Sequence, residues 1–542
     1  MLKNFTRLTL LAACLAWIFD QLFWGKSPGI SFPIFVVLLL VAGFLLAWAE
    51  GVRPARASLL LLVPIGFFAA MSVFRLEPFT QLLNYALSLG SMLLLVVTFV
   101  GGRWLAYGIA DYFINVLLLL PSMAVLPLMT MERQAREHKA EEAPRSVASQ
   151  LRPLLGVLRG LLLALPVLTF FTALLASADA AFSAQVTNLL KIFDLDKVPE
   201  YIFRLFYIAV LTYLLISIYL HALLRSREEK VSDGANGPGT LLRFLPHLEA
   251  SIVLGSVVAL FAAFVAVQVR YFFGGQANIN LAGFTYAEYA RRGFNELLAV
   301  AFFSLVLFVG LSSFTRRDSP GQRWSFSVLG TGLAMLVTVI LISAFQRLAL
   351  YEQVYGFTRL RTYTHVFIIW LGLLLLTVVV LEWLGRMRHF ALSVLCVALG
   401  FAISIGLLNV DALIVRLNVA HGTALLTVHQ AGSERMAAGF DAVYLATLSD
   451  DAIPALLAAF HRPDLDPALH DELGAILACK AAVLADRPQR PWQSFHWSSF
   501  AAESLLRAEA DALKAYPVLR EWNYQVEVNG KQRPCFEYGR DF

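Results

Sequence analysis

The chain has 542 residues, of which 58% are hydrophobic, 13% aromatic and only 15% charged, with a net charge of +5. A soluble globular protein carries about 25% charged residues, so that class is excluded, and the short alternating segments of about ten residues that build a membrane barrel are missing. Lipid offers no partner to an unpaired backbone N–H or C=O, so the composition specifies an all-α polytopic membrane protein.

Runs of about 20 mostly apolar residues, enough to cross a hydrocarbon core near 30 Å, mark the spans. They lie near 7–24, 31–49, 57–74, 78–100, 105–130, 154–177, 201–222, 249–272, 294–314, 325–346, 363–383 and 389–408, about twelve in all. From Asn409 the pattern turns amphipathic and charged. Residues 1–408 are therefore expected to form the transmembrane domain and 409–542 a soluble helical module. The module holds 12 Lys+Arg against 17 Asp+Glu, a balance of −5, which leaves +10 on the membrane part. Basic residues in membrane connections hold the cytoplasmic side and contact anionic lipid. No basic stripe occurs on a soluble element, so nucleic acid is not an expected partner.

At the N-terminus "LLAAC", ending at Cys14 after Lys3 and Arg7, has the form of a lipoprotein cleavage box. The apolar run continues through "LAWIFDQLFW", however, where a lipoprotein turns polar, so a plain first span is expected. Asp20, Asp111 and Glu382 are acidic residues inside spans and functional candidates on that ground, although Asp20 and Glu382 lie near span ends, where simple interfacial solvation is the expected reading. In 105–130, Asp111, Asn115, Pro121 and Pro127 interrupt the run and suggest a broken or re-entrant segment.

Basic residues alternate from there on. Arg133, Arg136, Lys139, Arg145, Arg152, Arg225, Arg227, Lys230, Arg243, Arg316, Arg317, Arg323, Arg386 and Arg388 make fourteen on one set of connections; Lys191, Lys197, Arg291, Arg292, Arg347, Arg359 and Arg361 make seven on the other. Positive-inside reasoning places the first set in the cytoplasm and the C-terminal module outside. Lys3, Arg7, Arg53, Arg56 and Arg103 also favour the cytoplasm. That conflicts with a simple count of five early spans, so the orientation of 1–130 stays open.

Two polar clusters fall on the expected outer side. In "FTYAEYARRGFNELLAV", Tyr286, Glu288, Arg291, Arg292, Asn295 and Glu296 share one broad helical face, with opposite charges spaced to pair. In "FQRLALYEQVYGFTRLRTYTHVF", Arg347, Tyr351, Glu352 and Tyr355 precede a helix-ending Gly356, and Arg359, Arg361 and His365 follow. Charge near lipid is costly unless paired or wet. The clusters are therefore expected to dock around a shared polar pocket or, more plainly, to staple helix ends.

In the tail, Ser449, Asp450 and Asp451 read as a helix cap rather than a metal-binding pair. "PALHDELGAILACKAAVLAD" and "SSFAAESLLRAEADALKAY" read as amphipathic helices, and "NYQVEVNGKQRPCFEY" as a short hairpin near 523–538. Cys479 and Cys535 pair if the tail lies in an oxidising space and are free thiols otherwise. Cys14 and Cys396 sit in apolar spans. No phosphate-binding loop, HExxH, GxSxG or cysteine framework occurs, and His is scarce, so neither cofactor nor metal is expected.

"LLASADAAF", "YAEYARRGFNEL", "RLALYEQVYGFTRLRTY" and "NVDALIVRLNVAHG…FDAVYLATLSDDAIPAL" resemble, in this order, signature stretches of a bacterial multi-pass family, domain of unknown function 4173, itself closely similar to 4153. The likeness covers roughly Leu154 to Phe460. It implies a bacterial cytoplasmic (inner) membrane protein with a helical tail and brings no reaction or catalytic residue. Three functions are carried forward: a non-enzymatic envelope scaffold whose tail binds a protein or peptide, a transporter or lipid- or anion-handling protein using the outer polar cluster, and a membrane-embedded transferase. Missing motifs weigh against the last.

Overall fold

A computed structural model describes residues 5–141, 198–226, 244–273, 294–429, 442–520, 524–528 and 530–535. Eleven of its helices are long and apolar enough to cross a membrane, and the twelfth expected span, 154–177, lies outside the described residues. The protein is an all-α multi-pass membrane protein that ends in a small antiparallel sheet.

The elements run in order as α1 (Phe5–Phe23), α2 (Ser31–Ala49), α3 (Arg56–Leu59), α4 (Leu62–Phe74), α5 (Pro78–Thr98) and α6 (Ile109–Glu141). They continue with α7 (Val198–Leu220), α8 (His247–Phe273), α9 (Phe294–Phe314), α10 (Pro320–Tyr355), α11 (Arg359–Trp383) and α12 (Phe390–Leu408). The module follows as α13 (Val410–His429), α14 (Ala442–Ala446), α15 (Ile453–Phe460), α16 (Pro467–Asp486), α17 (Trp497–Ala508) and α18 (Ala510–Leu513). Strands β1 (Val518–Arg520), β2 (Tyr524–Val528) and β3 (Lys531–Pro534) close it, in the order β1-β2-β3. The expected hairpin is β2–β3, and β1 extends it to three strands.

Local chemistry explains several boundaries. Helix α1 runs unbroken past Cys14. Pro64, lacking an N–H, sits in the first turn of α4, where helices tolerate it, and the span bends just before it at Leu60–Leu61. Helix α6 differs from the expected broken segment: it is one helix containing Pro121 and Pro127. Pro127 cannot donate to the carbonyl of Met123, and Ser217 Oγ supplies that bond instead, at 2.8 Å. Ser319 and Gln322 form a reciprocal capping box at the start of α10, and Gly356, at φ +71°, ends that helix.

The chain divides into two compact units. The first comprises Met1–Trp24, Leu38–Arg53 and Val116–Arg227. Its polar centre is Asp20, buried against Arg204 and Tyr207, with Trp24 stacked on Tyr207 at 5.5 Å and bonded to Glu200 at 2.7 Å. A π-helical turn at His221–Arg225 brings His221 Nδ1 within 2.7 Å of Ser122 Oγ.

The second unit comprises Gly25–Val37, Pro54–Asn115 and Glu228–Phe542. Its membrane helices α8 to α12 pack as neighbours around Leu254, Leu305, Phe308, Phe326, Leu333 and Leu375. Near one end of this bundle, Glu382 takes bonds from Arg317 and from Ser312 Oγ, at 2.6 Å for Ser312, and the Arg317 guanidinium lies 4.3 Å above the Phe326 ring. The module core is built from Ile414, Leu445, Ile453, Leu456, Leu473, Ile476 and Leu477, and Ile405 of α12 belongs to the same cluster. Cys479 and Cys535 are joined by a disulfide, their Cα atoms 5.7 Å apart, which ties the end of the sheet to α16.

Candidate functional site: an ionic seam under the module

Several charged residues at the bundle end nearest the module are paired with one another. Asp411, in the first turn of α13, is fully buried and accepts from Arg359 Nε and Nη2 at 2.7 Å each. This is a bidentate pair, the geometry for which the planar guanidinium is suited. Asp411 also accepts from the backbone N–H and the hydroxyl of Ser449, both at 2.7 Å. Glu77 Oε1 lies 4.0 Å from Arg359 and accepts a short bond from Tyr363. Glu77 is also the N-cap of α5, taking bonds from the N–H groups of Phe79 and Thr80 ahead of the helix formed from Pro78.

A second layer sits alongside. Asp451 is capped by Ser449, as the sequence suggested, but its own carboxylate reaches back to the α4–α5 turn. There it accepts from the N–H of Leu76 at 2.7 Å and of Glu77 at 3.1 Å, and it takes a short bond from Ser498. Burial pushes the Asp451 carboxyl up, and the bonds from Ser498 and Leu76 act against that rise. Asp450 accepts from Ser499 Oγ at 2.6 Å and from Arg487 at 3.2 Å. Arg75 donates to the carbonyl of Gly406 at 2.8 Å. Asn418 pairs with both backbone groups of Phe357, and Tyr444 takes the N–H of Arg359. On the neighbouring edge the turn before α2 meets the module backbone to backbone. Ile30 N–H donates to Phe495 C=O at 2.9 Å, and a Cβ on Gly29 would lie 2.6 Å from the Ser494 carbonyl carbon.

Buried Lys480 completes the seam, donating to the carbonyl of Leu448 at 2.7 Å. Desolvation pushes its ammonium down to about 8, against the pull of Asp450 and Asp411. The unfolded chain therefore binds more protons than the fold between about pH 8 and 10.5, and stability rises with pH across that window. The buried phenol of Tyr516, raised to about 12, reverses the trend above pH 10. The expected result is an unfolding free energy that climbs from pH 7.5 to 9.5 by on the order of 2 kcal/mol at most, read as a rising thermal midpoint, and a Lys480→Met protein in which the climb is flattened.

Of the sequence-picked residues, Arg359 enters this seam. Arg361 donates to the carbonyls of Tyr355 and Gly356 and lies 4.4 Å over the Tyr351 ring, itself 4.7 Å from Tyr355. Arg347 donates to Gln268 at 3.2 Å. Glu352 is only 1% exposed; its Oε1 lies 3.3 Å from His365 Nδ1 with no aligned hydrogen bond among the described residues. Asp111 accepts from Gly108 N–H at 2.8 Å near the start of α6, and Asp20 belongs to the first unit's Arg204 cluster. Glu296 is exposed in the first turn of α9. Tyr286, Glu288, Arg291, Arg292 and the Asn295 side chain lie outside the described residues, and so does the shared pocket expected of them. Glu77, Tyr363, Asp411 and Asp451 were not singled out as site residues; only the Glu-Pro start of α5 and the serine cap were visible locally.

A polytopic helical membrane protein whose C-terminal module is bolted to its own helix ends is what this geometry defines. The chain belongs to the family described as domain of unknown function (DUF4153), whose model matches residues 62–459. The resemblance pointed to 4173; the family model that matches is that of the similar family 4153. No curated protein and no solved structure matches the chain.

Proposed function

We propose that this protein is a non-enzymatic scaffold of the bacterial cytoplasmic membrane, which holds its C-terminal module in a fixed pose on the outer face for a protein or peptide partner. The observation that carries the reading is the seam: Arg359, Asp411, Glu77, Asp451, Asp450, Arg487, Lys480 and Arg75 are each bonded to protein groups. A transport site or an active site leaves charge available to a ligand.

The outward placement is supported by the second unit's two ends. Arg56, Arg103, Arg316, Arg317, Arg323, Arg386 and Arg388 stand at the end away from the module, where the Arg103–Ala106 turn packs on Met387–His389. Lys26, Arg75, Arg347, Arg359 and Arg361 stand toward the module end. Arginines concentrate on the cytoplasmic side, and a disulfide such as Cys479–Cys535 persists in an oxidising space.

Spin labels at Ser504→Cys on the module and Asp318→Cys at the opposite bundle end, in a Cys14→Ala/Cys396→Ala background, test the fixed pose by pulsed dipolar spectroscopy. One narrow distance distribution in lipid is the expected result. Two populations would overturn the scaffold reading and favour the transporter. The observation on the transporter's side is the Glu352–His365 pair, a buried carboxylate 3.3 Å from an imidazole near the end of a span.

A further inference from the structure

Helix α17 is inside out. It buries Ser498, Ser499, Ala502 and Leu506 while Trp497 and Phe500 stand 51% and 54% exposed, and Trp492 in the turn before it is 60% exposed. The seam fixes that rotation. Ser498 Oγ bonds Asp451 and the carbonyl of Phe74, and Ser499 Oγ bonds Asp450, so the serine face must point inward and the aromatic face outward. In water this arrangement leaves large rings solvated at a cost, since apolar surface is favourably removed from water.

The aromatic row is continuous with the lipid-facing surface of a membrane span. The Trp497 ring lies 6.4 Å from that of Phe74, the last residue of α4, and 6.0 Å from Phe500. Phe74 and, further down the same span, Val63 are exposed on the bundle. The height of the row is set by backbone contacts at span ends, at Phe74 and at the Gly29–Ile30 turn. The ends of membrane spans are where the amphipathic indole of Trp is favoured, at the level of the lipid headgroups.

We propose that Trp492, Trp497 and Phe500 lie in the interfacial zone of the leaflet on the module's side, so that bilayer lipid covers this face. The module is thus a partly immersed element, held by its seam on one flank and by lipid on another. The inference rests on the seam alone; it needs neither the scaffold reading nor a particular side of the membrane.

The test uses the full chain in phosphatidylcholine–phosphatidylglycerol proteoliposomes, lacking Cys14 and Cys396. Nitroxides at Trp497→Cys and Phe500→Cys are compared with Val63→Cys, a span position 72% exposed, and with Arg507→Cys on α17, whose side chain is 82% exposed. The measured quantity is relaxation by oxygen, which concentrates in lipid, against relaxation by a water-soluble nickel chelate. At 497 and 500 the oxygen-to-nickel ratio is expected several-fold above that at 507 and below that at 63, which lies deeper in its span. A ratio equal to that at 507 overturns the proposal, as does exclusion of both reagents, the sign of a second copy covering the face. Unlabelled protein gives an independent reading. Brominated lipid quenches Trp492 and Trp497, two of ten tryptophans, so Trp492→Phe/Trp497→Phe should lose about a fifth or more of the quenchable emission; an unchanged quench overturns the proposal too.

Discussion

Asp411→Asn is expected to lower the unfolding free energy by about 3–5 kcal/mol, the range found when one partner of a buried ion pair is removed. The carboxylate is fully buried and anchors four donors: two from Arg359 and two from Ser449. With the Asp411 charge gone, Glu77, at 4.0 Å, is the carboxylate left beside the Arg359 guanidinium among the described residues. Arg359→Gln should cost a similar amount, because it leaves two carboxylates facing one another. Arg359→Met/Asp411→Leu should cost well under the sum of the single changes, since neither charge is then stranded. Thermal unfolding in detergent reads the size of each effect. Limited proteolysis reads its location: cuts should appear around the module while the bundle stays protected. Near-additive costs in the cycle would show that the pair is not coupled.

Cys535→Ser is expected to cost about 2–4 kcal/mol. The bond spans 56 residues of sequence and fastens the end of β3 to α16, so cutting it frees a long loop in the unfolded chain and loosens the small sheet. Reductant should lower the midpoint of the parent protein and leave that of the Cys535→Ser protein unchanged. If the parent proves equally indifferent to reductant, the bond contributes nothing to the fold.

Much of the architecture was legible because hydrocarbon is an undemanding reader: a run of twenty apolar residues is a helix whatever its neighbours are. The α16 helix was equally plain from Pro467 to Asp486; its Asp466 cap is seen in the structure. Helix α6 was misjudged at its prolines because the repair at Met123 comes from Ser217, 94 residues away. The seam was only half visible for the same reason. Arg359 drew notice as a charge near lipid, but its partner is 52 residues on, and Glu77 and Tyr363 are 286 residues apart. Asp451 was read as part of a local cap, which it is, and nothing nearby in sequence signals that it also clasps Leu76 and Glu77. Pairings that join distant segments follow from topology, and one sequence does not print topology.

That clasp has a temporal side. Leu76 and Asp451 are separated by 375 residues, and Ser27 and Ser494 by 467. At roughly 5–20 residues per second of ribosomal elongation, the α4–α5 turn waits about 20–75 s after its own emergence for the acid that will bind its N–H groups. During that interval Glu77 stands without Asp451, whereas Arg359, made only 52 residues before Asp411, waits for its partner far more briefly. Insertion of the bundle and closure of the clasp are therefore successive events in the birth of the molecule, with the last-made segment locking the first.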